Sequence, residues 1–241
     1  MPRGSFQGFQ KIMPSVSEKR STKSGLLRAK ISLFSEPLNT AANRFWTHPR
    51  FAAVYRRYLF HSHSIIRATV PLLRAARKSC LQPRYASDPA MRRTAEYLER
   101  HAQEETGHDR WILDDAEVMG IRRASVLRRL PSPAAIEIVG AQYYWIHHYH
   151  PIAILGYIAV MEGTPSSTAF FEDVARRNHL PFEAISSFLY HARIDPKHKA
   201  DLDRLIDSLP MKPSHMELIG LSAIQTIHNL TVMFEEINQS L

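Results

Sequence analysis

His191, Asp195 and His198 follow one another at intervals of four and three residues. On a helix, residues three, four and seven apart share one face, so these side chains project together. Two imidazoles and a carboxylate suit a divalent transition metal such as iron, manganese or zinc. A second pattern lies upstream, in His101-Ala102-Gln103-Glu104-Glu105-Thr106-Gly107-His108. Glu105 and His108 form Glu-x-x-His, the spacing of carboxylate-bridged iron sites in helical bundles. His101 and Glu104 fall near the same face, and only some of the four can be ligands. Glu162 is the third signal, because it closes a long apolar run. A carboxylate buried there is costly unless it is paired or holds a metal. Alternatively, Gly163 and Pro165 simply end the helix and leave Glu162 in water.

Each pattern alone has a bland reading, since thirteen histidines make chance pairs common. Together they supply three carboxylates and three imidazoles: Glu105, His108, Glu162, His191, Asp195 and His198. Three carboxylates neutralise most of the charge of two divalent cations, and a bridging carboxylate holds two such ions close together. Six protein ligands leave open positions for water, O2 and substrate. Zinc would bind but offers no redox chemistry. Iron would let the site reduce dioxygen. The competing reading is a buried polar network without metal.

The elements that must carry these residues are all helical. Residues 31–47 read as a short helix or lead-in, and Phe51 to about Ser79 shows helical apolar spacing around an internal Pro71. Ser87 or Asp88 is suited to cap a helix that starts at Pro89, runs to Met119 and stops at Gly120. Gly107 inside it is costly and leaves room beside His108. Pro133 to Met161 is the most apolar long stretch, and Pro151 is expected to kink or split it. Its aromatics, Tyr143 to Tyr157, are expected to line part of a pocket. Further helices are predicted over residues 166–178, 182–209 and from Lys212 onward, with Pro196 bending or loosening the one that carries His191. No strand pattern, repeat or low-complexity tract is visible.

The 241 residues suit one large domain. Residues 1–30 carry seven basic side chains against the single acid Glu18, a net +6 of the chain's +8. They read as a flexible basic tail, leaving 31–241 as a single helical domain nearly neutral in charge. A nucleic-acid partner is therefore not expected. Arg122, Arg123, Arg128 and Arg129 read as solvated surface, with an entry patch for an anionic substrate as the sharper alternative. The single cysteine, Cys80, excludes an internal disulfide and a multi-thiolate metal site. No apolar run approaches a membrane span, and no secretory signal is seen, so a cytoplasmic location is expected.

Over roughly residues 40–240 the chain resembles the haem-oxygenase-like di-iron oxidases and oxygenases, also described as iron-containing redox enzymes. They share their fold with thiaminase II and pyrroloquinoline-quinone synthase. The resemblance rests on Glu105-Thr-Gly-His108, on Glu162 after an apolar helix, and on His191-x3-Asp195-x2-His198, in the family's order. It implies an all-α bundle of about seven helices and two Fe(II) ions per chain, held by Glu105, His108, Glu162, His191, Asp195 and His198. It further implies O2 as co-substrate and a small-molecule substrate that is desaturated, cleaved or N-oxygenated. A homodimer is expected on the same ground, and the resemblance leaves the electron donor open. Some relatives use a carboxylate two helical turns before the first histidine, where this chain has His101, so Glu104 remains the substitute for Glu105. The resemblance also implies that the helix carrying His191 orders as metal binds, which would suit Pro196. The alternatives are a cofactor-independent oxidase or hydrolase on the same fold, or a non-catalytic iron-binding protein.

Overall fold

The computed structural model describes residues 22–163 and 166–240. The described residues contain helices and no strand. In chain order they are α1 (Lys23–Phe34), α2 (Glu36–Trp46), α3 (Phe51–Cys80), α4 (Pro89–Glu104), α5 (His108–Val118), α6 (Arg123–Arg128), α7 (Pro133–Tyr144), α8 (Ile154–Met161), α9 (Thr168–Arg177), α10 (Ser186–Ser208) and α11 (Pro213–Gln239). The bundle is all-α as expected, but the described residues form eleven α-helices rather than about seven.

Two breaks account for much of the difference. The helix expected over Pro89–Met119 is interrupted after Glu104, because Gly107 adopts a left-handed backbone, φ +96°. Side chains with a Cβ rarely take that conformation. The apolar stretch Pro133–Met161 is split between α7 and α8 by a π-helical turn at Trp145–Tyr149 and a 3-10 turn at Pro151–Ala153. Pro151 has no N–H to continue the α-helical ladder. By contrast α10 runs unbroken through Pro196, so the expected loosening there is not seen. The caps follow the sequence closely. Asp88 accepts from the Ala90 N–H with Pro89 at the first helical position, and Gly120, φ +74°, lies just past the end of α5.

The long helices α3 and α11 form the centre. α3 packs on α4, α5 and α7, while α11 packs on α8, α2, α1 and α7. Aromatic rings fill the space between α2, α3, α9, α10 and α11. Phe45 is fully buried, with its ring centroid 4.8–5.5 Å from those of Trp46, Phe51, Tyr58 and Phe234. Phe188 stacks on Phe171 at 4.8 Å. Among the described residues no helix is long and apolar enough to cross a membrane.

Residues 23–30, expected to be part of a loose tail, instead form most of α1; residues 1–21 lie outside the described residues. Leu27 is 2% exposed, so the segment belongs to the core. The Ser24 N–H and hydroxyl donate to Asp207 at 2.7 and 2.8 Å. Arg28 pairs with Asp203 at 2.7 Å and donates to the Ala159 carbonyl at 2.6 Å. α1 therefore straps the end of α8 to the C-terminal half of α10. The strap passes so close to Gly163 that a Cβ there would collide with the Ala159 carbonyl and Arg28. If α1 is part of the folded core, Leu27→Ala should cost about 2–5 kcal/mol in urea unfolding. A cost under about 0.5 kcal/mol would return the segment to the tail.

Candidate metal centre

The breaks in the helices bring the acids and imidazoles together. Glu105 sits at the C-terminal cap of α4, where its N–H donates to the His101 carbonyl at 2.9 Å. His108 opens α5 one residue after Gly107. Thus Glu-x-x-His here straddles a turn rather than lying on one continuous helix. Glu162 caps the end of α8. His191, Asp195 and His198 face the same region from α10.

Two groups result, each with potential ligand atoms within 4.8 Å of one another. One is His101, Glu105, Glu162 and His198; the other is Glu105, His108 and His191. Glu105 belongs to both. Its Oε2 lies 3.0 Å from His108 Nδ1 and its Oε1 lies 3.7 Å from His198 Nδ1. Glu162 Oε1 meets His101 Nε2 at 2.9 Å, and Glu162 Oε2 lies 3.4 Å from His198 Nδ1. His191 Nδ1 lies 2.8 Å from the Ser187 carbonyl. A carbonyl only accepts, so Nδ1 carries the proton and Nε2 keeps its lone pair free, as a metal-ligating histidine requires.

Five of the six residues singled out in the sequence enter these groups. Asp195 does not, although it stands beside them with Oδ1 4.0 Å from His198 Nδ1. His101 takes a place that the six-residue set did not give it. The signal was present, because His101 lies two helical turns before His108 and one turn before Glu105. Glu104 is in neither group: its side chain is 41% exposed and its Oε1 accepts from Lys197 Nζ at 2.6 Å, while its Oε2 stays at the edge of the cluster, 3.5 Å from His198 Nε2. Tyr97 stacks on His101 at 5.4 Å and Trp111 on His108 at 3.9 Å, so rings cover both imidazoles.

The donor set fits a cation. Glu162 Oε2, Asp195 Oδ1 and His198 Nδ1 are buried without a hydrogen-bond partner. Such groups are rare unless something satisfies them. Two of them are acceptor oxygens of acids and the third is an imidazole nitrogen, which together make a ligand set for a hard-to-borderline divalent ion. Asp195, Glu162 and His191 are also perturbed. Burial drives the Asp195 carboxyl up to about 7, helped by the charge of Glu162. Burial acts the same way on Glu162, but hydrogen bonding to His101 and the nearby His198 outweigh it and hold that carboxyl low. Burial lowers the His191 imidazole, favouring the neutral form that ligates metal.

A cavity of about 630 Å³ opens onto this cluster, lined by Glu105, Glu162, His191 and Asp195. Its walls are mostly apolar and aromatic, including Trp46, Tyr58, Phe170 and Phe188. The aromatic stretch Tyr143–Tyr157, expected to line the pocket, contributes only Tyr157 among its tyrosines. Tyr144, at the end of α7, and Tyr149, in the π-helical turn, face solvent instead. None of Arg122, Arg123, Arg128 and Arg129 is among the described residues that line the cavity. Arg123 instead pairs with Asp114 and Glu117, and Arg129 lies over the Phe60 ring.

Residues 67–223 match the profile of the family described as "Iron-containing redox enzyme". Among solved structures, the chain is similar to a domain of unknown function with a haem oxygenase-like fold from Shewanella denitrificans OS217. The TM-score is 0.72 at 16% identity, covering 88% of this chain and 90% of that one. It is also similar to a TenA homologue from Pseudomonas syringae pv. tomato DC3000, with TM-score 0.71, 8% identity, and coverage of 97% and 100%. A TenA homologue from P. horikoshii OT3 follows, with TM-score 0.61, 14% identity, and coverage of 91% and 100%. These likenesses establish a haem oxygenase-like fold. A comparison with curated proteins gives no match.

The raised Asp195 carboxyl predicts a pH effect on the metal-free chain. The folded state binds its proton more tightly than the unfolded chain, whose aspartates titrate near about 3.9. Its contribution to stability is therefore full below that value and is lost as pH rises through about 7. Asp195→Asn removes this titration. In urea unfolding the variant should gain on the unsubstituted protein between about pH 5 and about pH 8. A difference that does not change over this range would mean that Asp195 titrates as it does in water.

Proposed function

The chain belongs to the iron-containing redox enzyme family, and we propose that it is a non-haem di-iron oxidase or oxygenase acting on a small molecule. One observation carries the reading: Glu105 is shared between two groups of mostly buried side chains beside a largely apolar cavity. Glu105, His108 and His191 would hold one Fe(II); His101, Glu162 and His198 would hold the other with Glu105, and Asp195 would complete the second position. Bound iron supplies the electrons that reduce O2, with an external donor to restore them.

The residues of this chain do the rest. Glu105 fixes the separation of the two positions by offering one oxygen to each side. The Ser187 carbonyl holds the His191 ring by Nδ1–H and leaves Nε2 for ligation. Burial raises the Asp195 carboxyl to about 7, and a cation held beside it would displace that proton. The aromatic walls keep bulk water from the reacting end of the substrate. No Lys or Arg is among the described residues that line the cavity. A substrate carboxylate would then find its charge partner only at the metal ions, with the largely apolar walls packing the rest of the substrate. Amino acids, amines and fatty acids are the classes proposed, oxidised by desaturation, cleavage or N-oxygenation. A cytoplasmic homodimer is part of the same proposal.

The second reading is a cofactor-independent oxidase or hydrolase on the same fold, for which Cys80 would be the one cysteine able to act as nucleophile. Cys80 does not suit that role. It is buried at the end of α3, lies outside the cavity lining, and burial pushes its thiol up to about 12. A thiolate is the nucleophile, so this thiol is inert at neutral pH.

Anaerobic loading with Fe(II), removal of unbound metal and an iron count should give about two ions per chain, and mixing with O2 should then produce a transient visible band. His191→Ala should reduce O2 consumption about 100-fold or more, since a direct ligand matters at least as much as its supporting residues. Cys80→Ser should leave O2 consumption within about twofold. A folded protein that binds no iron would overturn the di-iron reading.

A further inference from the structure

Asp115 lies on α5 and is fully buried, 0% exposed, yet it belongs to neither group of ligand atoms. A buried carboxylate must be satisfied by donors. Its donors come mainly from the first turn of α10. Ser186 Oγ donates at 2.7 Å, the Ser187 N–H at 3.2 Å, and the Ser187 hydroxyl makes a further bond. Tyr55 of α3 lies 3.4 Å away and donates mainly to the Ala184 carbonyl at 2.7 Å. α10 needs this help. Its N-cap is Ile185, whose side chain accepts nothing, and the first N–H groups of a helix have no partner within it. A carboxylate from a different helix does what a capping side chain would do, and it also favours the positive end of the helix dipole.

The same residue continues the chain of bonds into the site. The Ser187 carbonyl accepts from His191 Nδ1 at 2.8 Å. α5 also begins at His108, which shares the second ligand group with His191. We propose that Asp115 is a positioning residue for His191. By fixing Ser186 and Ser187 it sets the register of α10 against α5, so that one imidazole from each helix meets at Glu105. The proposal concerns the His191 side of the site and leaves the His101 side untouched. Its metal-binding consequence rests on the di-iron reading; its consequence for the His191 ring does not.

Two measurements on the full chain test it. In the first, anaerobic Co(II) is titrated into the protein and into Asp115→Asn, with His191→Ala identifying the binding step that depends on His191. Asp115→Asn should weaken that step at least tenfold and leave the other within twofold. Equal weakening of both steps, or of neither, would overturn the proposal. In the second, nitrogen-edited NMR of metal-free protein follows the His191 Nδ1–H signal. That signal should broaden or vanish in Asp115→Asn while the His101 ring signals stay in place. An unchanged His191 signal would overturn the proposal. If the unsubstituted protein takes up no Co(II), the di-iron reading fails, and the NMR result alone decides on Asp115. If Asp115→Asn does not fold, Ser186→Ala removes one donor to the same carboxylate and should give the same changes in smaller degree.

Discussion

Glu105 and Glu162 lie in the interior of a helical bundle, with Asp195 beside them. Burial drives carboxylates towards their neutral form unless cations or donors hold the charge. Four imidazoles, His101, His108, His191 and His198, face these acids and offset part of that cost. The offset is incomplete, because Glu162 Oε2, Asp195 Oδ1 and His198 Nδ1 stay without partners. A fold does not keep such a cluster for stability, since apolar side chains of similar size would pack there at less cost. The arrangement makes physical sense as a receptacle for positive charge, and much of the surrounding structure is bound to this requirement.

Each element near the cluster shows that dependence. The left-handed turn at Gly107 ends α4 at Glu105 and starts α5 at His108, which aims both side chains into one space. The end of α8 is fixed by Arg28, which holds the Ala159 carbonyl close to Glu162. α10 is held near both ends, by Asp115 at its first turn and by α1 through Asp203 and Asp207. Pro196 cannot donate a backbone hydrogen bond, so these outside contacts bear on the part of α10 that carries the ligands. A helix held in this way can keep three polar side chains aimed inward without relying on its own ladder alone.

The cavity follows from the same architecture. α2 and α9 contribute Trp46, Phe170 and Phe171 to its walls, and α3 and α10 contribute Tyr58 and Phe188. Charged groups of the surface, including Arg123 with its two acidic partners, remain outside. Chemistry in this space is therefore governed by the acid and imidazole cluster at one side and by apolar contact elsewhere. Such sites bind ligands through shape and a few convergent polar groups.

The all-helical class, most helix positions, and five members of the acid and imidazole cluster were legible in the sequence. These are local properties: apolar spacing fixes a helical face, caps and prolines mark its ends, and residues four or three apart on that face must point together. The break at Gly107 was less legible, because a glycine inside a periodic pattern can be a tolerated cost or a turn. The helicity of Lys23–Lys30 was masked by charge, since Leu27 and Ile31 show their burial only against α10 and α11. Tertiary structure alone decided that His101 rather than Asp195 completes the close group, that Glu104 pairs with Lys197 at the edge of the cluster, and that Asp115 serves the start of α10. The reason is geometric. Sequence spacing states which side chains leave a helix together, but the distance between atoms on different helices depends on how those helices pack, and metal chemistry is decided at that distance.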